Sequence, residues 1–511
     1  MKKPDTSLFQ LIRELSRTEK RHVKIFAGLH RKGAERKITE LFDSIAAQEH
    51  YDEEALKKKF SADPFLGKHF KKAKQDLFEL ILKSLCLYHE DRYSEARIAG
   101  RLQKARILAD KGVYKAAARI LSGAAKDAEK YEHYWLLSRI QEEKIYFLLN
   151  RQFNPGGDEK QFSGTFGDFF SAWNSYSSNM KFYKEYFFIV YDLHKEGSSR
   201  SGSRFENYKT IARSLPKVTP SSLPLRSRLH YYLFRHMFYF AQNNYPEAFK
   251  YTSAAVNCFS KSLPPEYSRL QYVLITDFIN ICFMLKRYRL IPPALEKLKN
   301  IQSTSGPLQH RIRAMQVIMS AGFFIQTGKF QKAKEITGKT LSDREHTEFF
   351  SIEQQIIIHY YMAVACFGTG ALKESIQWLN RLFTNFNLSN LRTDILVFAR
   401  FLGIIVHYEL GNTDLVEYLT RSVYRFLLRH QRLYKFEDLF LSFIRNRLPG
   451  ADTKSRLLDN FRYLKTELEK LSSDSYERKP FEYFDFISWL ESKIEKKTFA
   501  EVVKSKAGKT V

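Results

Sequence analysis

The stretch GKFQKAKEIT at residues 328–337 reads as a helix end, a turn and the start of a second helix. Gly328 can enter the left-handed backbone region at little cost, which is how many helices end. Two residues on, Phe330 supplies a ring. Three further, Ala333 supplies a small side chain where a second helix can press on the first. Working outward, the same order of residue types recurs in GALKESIQWL (370–379), GNTDLVEYLT (411–420), KRYRLIPPAL (286–295), NNYPEAFKYT (243–252) and GVYKAAARIL (112–121). The starts at 243, 286, 328, 370 and 411 lie 43, 42, 42 and 41 residues apart. A fixed period of this size is the signature of a repeat architecture.

Each copy repeats the same local physics. A Gly, Asn or Lys closes the first helix. A ring or apolar residue follows (Tyr114, Tyr245, Tyr288, Phe330, Leu372), with Thr413 the exception, and then a small or apolar residue (Ala117, Ala248, Ile291, Ala333, Ser375, Val416). Apolar positions continue at helical spacing, as in Ala117, Leu121 and Ala124. The Gly-x-aromatic-x-x-Ala segments at 112–117 and 328–333 resemble the turn and second-helix start of the tetratricopeptide-like family, and the resemblance covers roughly residues 95–445. The first helices lack that family's Trp and Leu-Gly pair, and the period exceeds its 34 residues by about eight, which implies longer helices. The fold this implies is all-α: an α-solenoid of antiparallel helical hairpins with helical caps at both ends.

That reading divides the chain into an N-terminal helical cap at 1–95, a repeat array at 96–450 and a C-terminal helical cap with a basic tail at 451–511. The array is degenerate, with loop insertions at 150–225. Loop-like stretches stand at 154–168, 195–204 and 214–224, separated in part by the aromatic helical run FSAWNSYSSNMKFYKEYFFIVYDLH. In the cap, Ser16 and Glu19 have capping-box spacing, Asp52-Glu53-Glu54 opens a helix running to Phe60, and 68–88 is strongly amphipathic. Terminal repeats need such atypical ends, because an apolar repeat face would otherwise meet water.

Composition agrees with a chain that folds throughout. The 511 residues are 44% hydrophobic, with 43 Phe and 29 Tyr against only 22 Gly and 14 Pro. Cys86, Cys258, Cys282 and Cys366 sit in apolar helical patterns without close pairing, so they read as buried, reduced thiols. The N-terminal segment is amphipathic, interrupted by Arg13, Glu14 and Arg17, and is not a signal peptide. The longest apolar clusters, at 231–240 and 356–367, fall short of a membrane span. The expected setting is the cytoplasm.

Chemistry-bearing motifs are few. The segment 197–204 has P-loop-like glycine spacing but no Lys and no preceding strand. There is no H-E-x-x-H, no G-x-S-x-G and no metal-spaced cluster among the 14 His. Tyr88-His89-Glu90-Asp91 reads as helix-end capping. No enzyme, no cofactor and no metal is expected.

Two features point to binding. Arg421, Arg425, Arg429 and Arg432 are spaced four, four and three apart, which places four guanidinium groups on one helix face, with no acid between Glu417 and Glu437. Like charges so placed repel unless an anion compensates them. A second basic stretch runs from Lys195 to Arg235 and includes Arg200, Arg204, Lys209 and Arg213. By the family resemblance, the first helices line a concave groove holding Met237, Phe240, Phe283, Ile325, Phe367 and Tyr408. An apolar groove does not stay open to water, so either a partner helix or the chain itself fills it, and PFEYFDFISWL at 480–490 is the internal candidate.

The expected function is therefore a non-enzymatic interaction scaffold with a protein partner, acidic or presenting an apolar helix. The net charge of +27 keeps an RNA- or ribosome-associated role as the alternative. A third reading is a regulator with a peptide or small ligand in the groove.

Overall fold

The computed structural model describes residues 5–29, 34–64, 66–149, 159–196, 208–210, 213, 218–260, 263–303, 305–343, 347, 349–386, 393–430, 432–449, 453–474 and 477–510. Among them the secondary structure is helical, without a strand. The chain forms two compact units, Met1–Ser178 and Asn179–Val511.

The first unit opens with α1 (Ser7–Glu14), α2 (Arg17–Leu29), α3 (Ala34–Ala46), α4 (Glu53–Lys59) and α5 (Leu66–Glu90). Ile12, Leu41, Ile45, Leu66 and Ile81 close their shared core. Both expected starts are formed. The Ser16 N–H donates to Glu19 at 2.8 Å while the Glu19 N–H donates to the Ser16 hydroxyl at 3.3 Å, and Asp52 accepts from the Ala55 N–H at 2.9 Å. Next come α6 (Ser94–Asp110), α7 (Tyr114–Lys130) and α8 (Tyr134–Leu149), packed around Ile98, Ala117, Leu121, Ala124 and Ile140. The helix α9 (Glu159–Glu196) runs 38 residues and contains the boundary between the units. Residues 159–168, expected in a loop, are helical: Gly164 and Gly167 only weaken a helix, and the apolar residues around them keep helical spacing.

The second unit continues with α10 (Leu225–Ala241), α11 (Tyr245–Asn257), α12 (Ser268–Met284), α13 (Ile291–Lys299), α14 (Gly306–Gln326) and α15 (Phe330–Ser342). Then follow α16 (Ile352–Gly368), α17 (Leu372–Asn385), α18 (Thr393–Glu409) and α19 (Thr413–Arg429). From α10 to α19 each helix packs on the next, and α12, α14, α16 and α18 also touch in turn. A group of shorter elements completes the unit: α20 (Lys435–Ser442), which runs on as a π-helical stretch Phe443–Arg447, α21 (Lys454–Ser473), α22 (Phe486–Glu495) and α23 (Phe499–Thr510).

The turn residues behave as their chemistry dictates. Gly112, Asn243, Lys286, Gly328, Gly370 and Gly411 all have φ between 53° and 78°. The N–H after each reaches back to a carbonyl five residues earlier, as Lys329 to Phe324 at 2.8 Å and Asn412 to His407 at 3.0 Å, which satisfies an orphan carbonyl of the ending helix. The small positions behind these turns, Ala117, Ala248, Ile291, Ala333 and Ser375, are 0% exposed. Glu132 and Lys496 take the same left-handed conformation at turns that the residue pattern does not flag.

The cysteines depart from expectation in part. Cys282 and Cys366 are buried, with burial pushing their thiols up to about 12 and about 11, but Cys86 is exposed and Cys258 half-buried. The apolar stripe of α5 is set by Leu77 and Ile81, and Cys86 falls off it. Among the described residues no helix is long and apolar enough to cross a membrane, and no group of His, Cys, Asp or Glu could hold a metal ion.

Candidate functional site

The arginine ridge is formed in part. Arg421, Arg425 and Arg429 lie exposed along α19. Arg432 does not join them: the helix stops at Arg429, and Arg432, half-buried beyond the end, donates its N–H to the Leu427 carbonyl at 2.9 Å. The capping turn thus ends the spacing that would have aligned it.

A residue from another element completes the group. Arg421 and Arg425 line a cleft of about 400 Å³ together with Thr420, Tyr424, Leu441, Ser442 and Arg445. Arg445 comes from the π-helical stretch, with its guanidinium 5.8 Å from the centre of the Tyr424 ring and its Nε donating to Asn446 at 3.2 Å. The floor is partly apolar, as Leu441 is 2% exposed, and Thr420 spends its hydroxyl on the Val416 carbonyl at 2.7 Å. Arg421 pairs with Glu417. Arg425 and Arg445 have no carboxylate partner among the described residues. The ridge alone was legible in sequence. Arg445 lies 20 residues after Arg425 on a separate element, so their meeting is a tertiary contact that helical spacing does not reveal.

The second basic stretch is described only in part. Arg200 and Arg204 lie outside the described residues. Lys209 is half-buried and Arg213 exposed. Arg226 stacks at 5.1 Å on Tyr267, Arg228 donates to the Leu223 carbonyl at 2.8 Å, and Arg235 donates to Tyr239 and Tyr251 at 2.9 and 3.1 Å.

The residues expected to line a groove pack against other parts of the chain. Phe367 is 5% exposed and packs at 5.5 Å from Phe484 and 5.3 Å from Phe499. Tyr408 meets Trp489 edge-on at 6.0 Å, and Phe240 stacks on Tyr245 with Lys479 5.4 Å from its ring. Ile325 joins the cluster that contains Phe484 and Val503, Phe283 the cluster that contains Ala507, and Met237 the cluster around Leu233 and Phe238. Polar contacts fix the register of this cover. Trp489 Nε1 donates to Glu409 at 2.7 Å, Tyr483 to Asp394 at 2.5 Å, and Tyr360 to the Tyr483 carbonyl at 3.2 Å. Burial alone would lower the Lys479 ammonium, but Glu482 and Tyr245 outweigh it and hold the group above the usual lysine range.

One carboxylate and two imidazoles are displaced by burial inside the helix packing. Burial pushes Asp277 up to about 7 and His236 down to about 4, and the two stand 3.9 Å apart. His230, lowered to about 4 by burial and then by Arg226, bonds Asn179 at 2.6 Å. A further cavity of about 300 Å³, lined by Tyr288, Arg289, Phe323, Lys329 and Lys504, holds neither carboxylate nor His, and the same is true of the arginine cleft. The sequence matches no protein-family model, and no curated protein matches it at a significant level.

Proposed function

We propose that the chain is a non-enzymatic, cytoplasmic scaffold, a tetratricopeptide-like solenoid that holds an acidic protein partner at the cleft of Arg421, Arg425 and Arg445. The observation that carries this reading is the assembly of three guanidinium groups from two elements around one cleft, with one carboxylate to offset them. Guanidinium groups left without counter-ions at a cleft favour an anionic partner, and their fork geometry suits carboxylates and phosphates. A non-enzymatic role fits cleft linings that offer cations, hydroxyls and apolar groups but no acid–base pair.

The alternatives weigh less. A ligand in the groove would have to displace Phe484, Phe486 and Trp489, which are 3%, 0% and 0% exposed. An RNA would use the same arginines and the Tyr424 ring, but Asp414 and Glu417 precede them on α19 and Asp438 stands on α20. Capture of the tagged chain's partners, with nuclease and at low and high salt, tests the reading. We expect a protein that survives nuclease, dissociates at high salt, and is absent when Arg421, Arg425 and Arg445 are all replaced by Glu. Recovery of the same set with that variant would sink it.

A further inference from the structure

We propose that the arginine cleft recognises a phosphorylated serine or threonine side chain of a partner protein, an inference that rests on the acidic-partner reading above. Charge counting comes first. Three guanidinium groups line or flank the cleft and Glu417 neutralises one of them, which leaves two positive charges for the occupant. A carboxylate brings a single negative charge and engages one fork. A phosphomonoester brings about 1.5 to 2 negative charges at neutral pH and three acceptor oxygens, so it matches both the charge and the number of forks.

Geometry agrees. Arg421 and Arg425 are one helical turn apart on α19, and Arg445 enters from the separate π-helical stretch, so donors converge from two elements instead of lying in a row. A cleft of about 400 Å³ exceeds one phosphoryl group and leaves room over Tyr424 and Leu441 for an adjoining apolar residue. A nucleic acid backbone spreads single charges along a track. Here the track is broken by Asp414 and Glu417 one to two turns before Arg421, and by Asp438 on the neighbouring helix.

The test uses the full chain and fluorescence anisotropy with three labelled peptide mixtures. Their flanks are identical and degenerate, and the central residue is fixed as phosphoserine, Glu or Ser. A labelled uridine oligonucleotide is the fourth probe. The phosphoserine mixture should bind about tenfold or more tighter than the Glu mixture, and millimolar inorganic phosphate should compete. Arg425→Ala and Arg445→Ala should each weaken binding about tenfold or more while leaving the thermal melt unchanged. Arg425→Lys, which keeps the charge and loses the fork, should erase most of the preference for phosphoserine over Glu. Equal binding of the Glu and phosphoserine mixtures would overturn the phosphate assignment and leave the acidic-partner reading standing. An oligonucleotide that binds through Arg425 and Arg445 more tightly than any peptide overturns both. Phosphoserine binding that is indifferent to Arg425 and Arg445 overturns the proposal at this cleft.

Discussion

Gly328 and Gly370 hold the same backbone conformation, φ 69° and 78°, in equivalent turns, yet their surroundings differ. A Cβ on Gly370 would meet open space, whereas one on Gly328 would stand 2.7 Å from the backbone nitrogen of Lys504 in α23. Gly370→Ala should therefore cost only the left-handed strain, about 1 kcal/mol. Gly328→Ala should cost about 2–4 kcal/mol, since backbone must move as well. Denaturant unfolding of the pair checks this, and equal costs would contradict the close approach. Asp277 gives a pH test. Its buried carboxyl is raised from 3.8 to about 7, and its Oδ2 has no hydrogen-bond partner among the described residues. The folded state thus binds a proton that the unfolded state has released, and this stability is full below pH 3.8 and lost as pH rises through about 7. Asp277→Asn should leave stability near pH 4 little changed. It should raise it by about 2 kcal/mol at pH 8, a value discounted because the side chain keeps 18% of its surface exposed. A variant destabilised equally at both pH values would refute the charge argument. Asp277 shares α12 with Arg269, Gln271, Thr276 and Asn280, so the local sequence does not single it out.

At the scale of the element, the segment from Lys479 to Thr510 behaves as core, not as a removable cover. Trp489 is 0% exposed, touches Tyr408, Phe440 and Phe461, and ties its indole to Glu409. Trp489→Ala should destabilise the second unit by about 3–5 kcal/mol, read from guanidinium unfolding. A loss below about 1 kcal/mol would show a loosely held segment. Sequence reached part of this. The turns were legible because a left-handed cap has a short chemical vocabulary, and Asn243 and Gly411 speak it plainly. Lys286 was legible only from its place in the period, since an isolated lysine does not announce positive φ. The aromatic segment at 480–490 was visible as a covering element, but its partners were not, because the contact of Tyr245 with Glu482 spans 237 residues. Arg421 and Arg425 were readable from helical spacing. Arg445 reaches the same cleft from a separate element, a tertiary contact that no local residue pattern records.

Across the whole molecule the excess of cations is the dominant long-range term. A formal charge of +27 is carried by 83 basic and 56 acidic residues, so exposed cations outnumber the carboxylates available to pair with them. Raising salt from about 0.01 M to about 0.15 M shortens the screening length from about 30 Å to about 8 Å and should relieve that repulsion. The melting temperature should rise by a few degrees over this range, by calorimetry. A fall instead would mean that the many ion pairs, such as Lys506 and Lys465 with Glu491, contribute more than the repulsion does.

The bond from Tyr245 to Glu482 also has a consequence for biosynthesis. On a ribosome adding about 5–20 residues per second, the 237 residues between them take roughly 10–50 s. For that interval Phe240 and Tyr245 wait for Lys479 and Glu482, and Phe367 and Tyr408, made later within it, likewise precede Phe484 and Trp489. A chain truncated upstream of residue 477 should therefore expose aromatic surface that the full chain covers and should aggregate more readily than it, which light scattering checks.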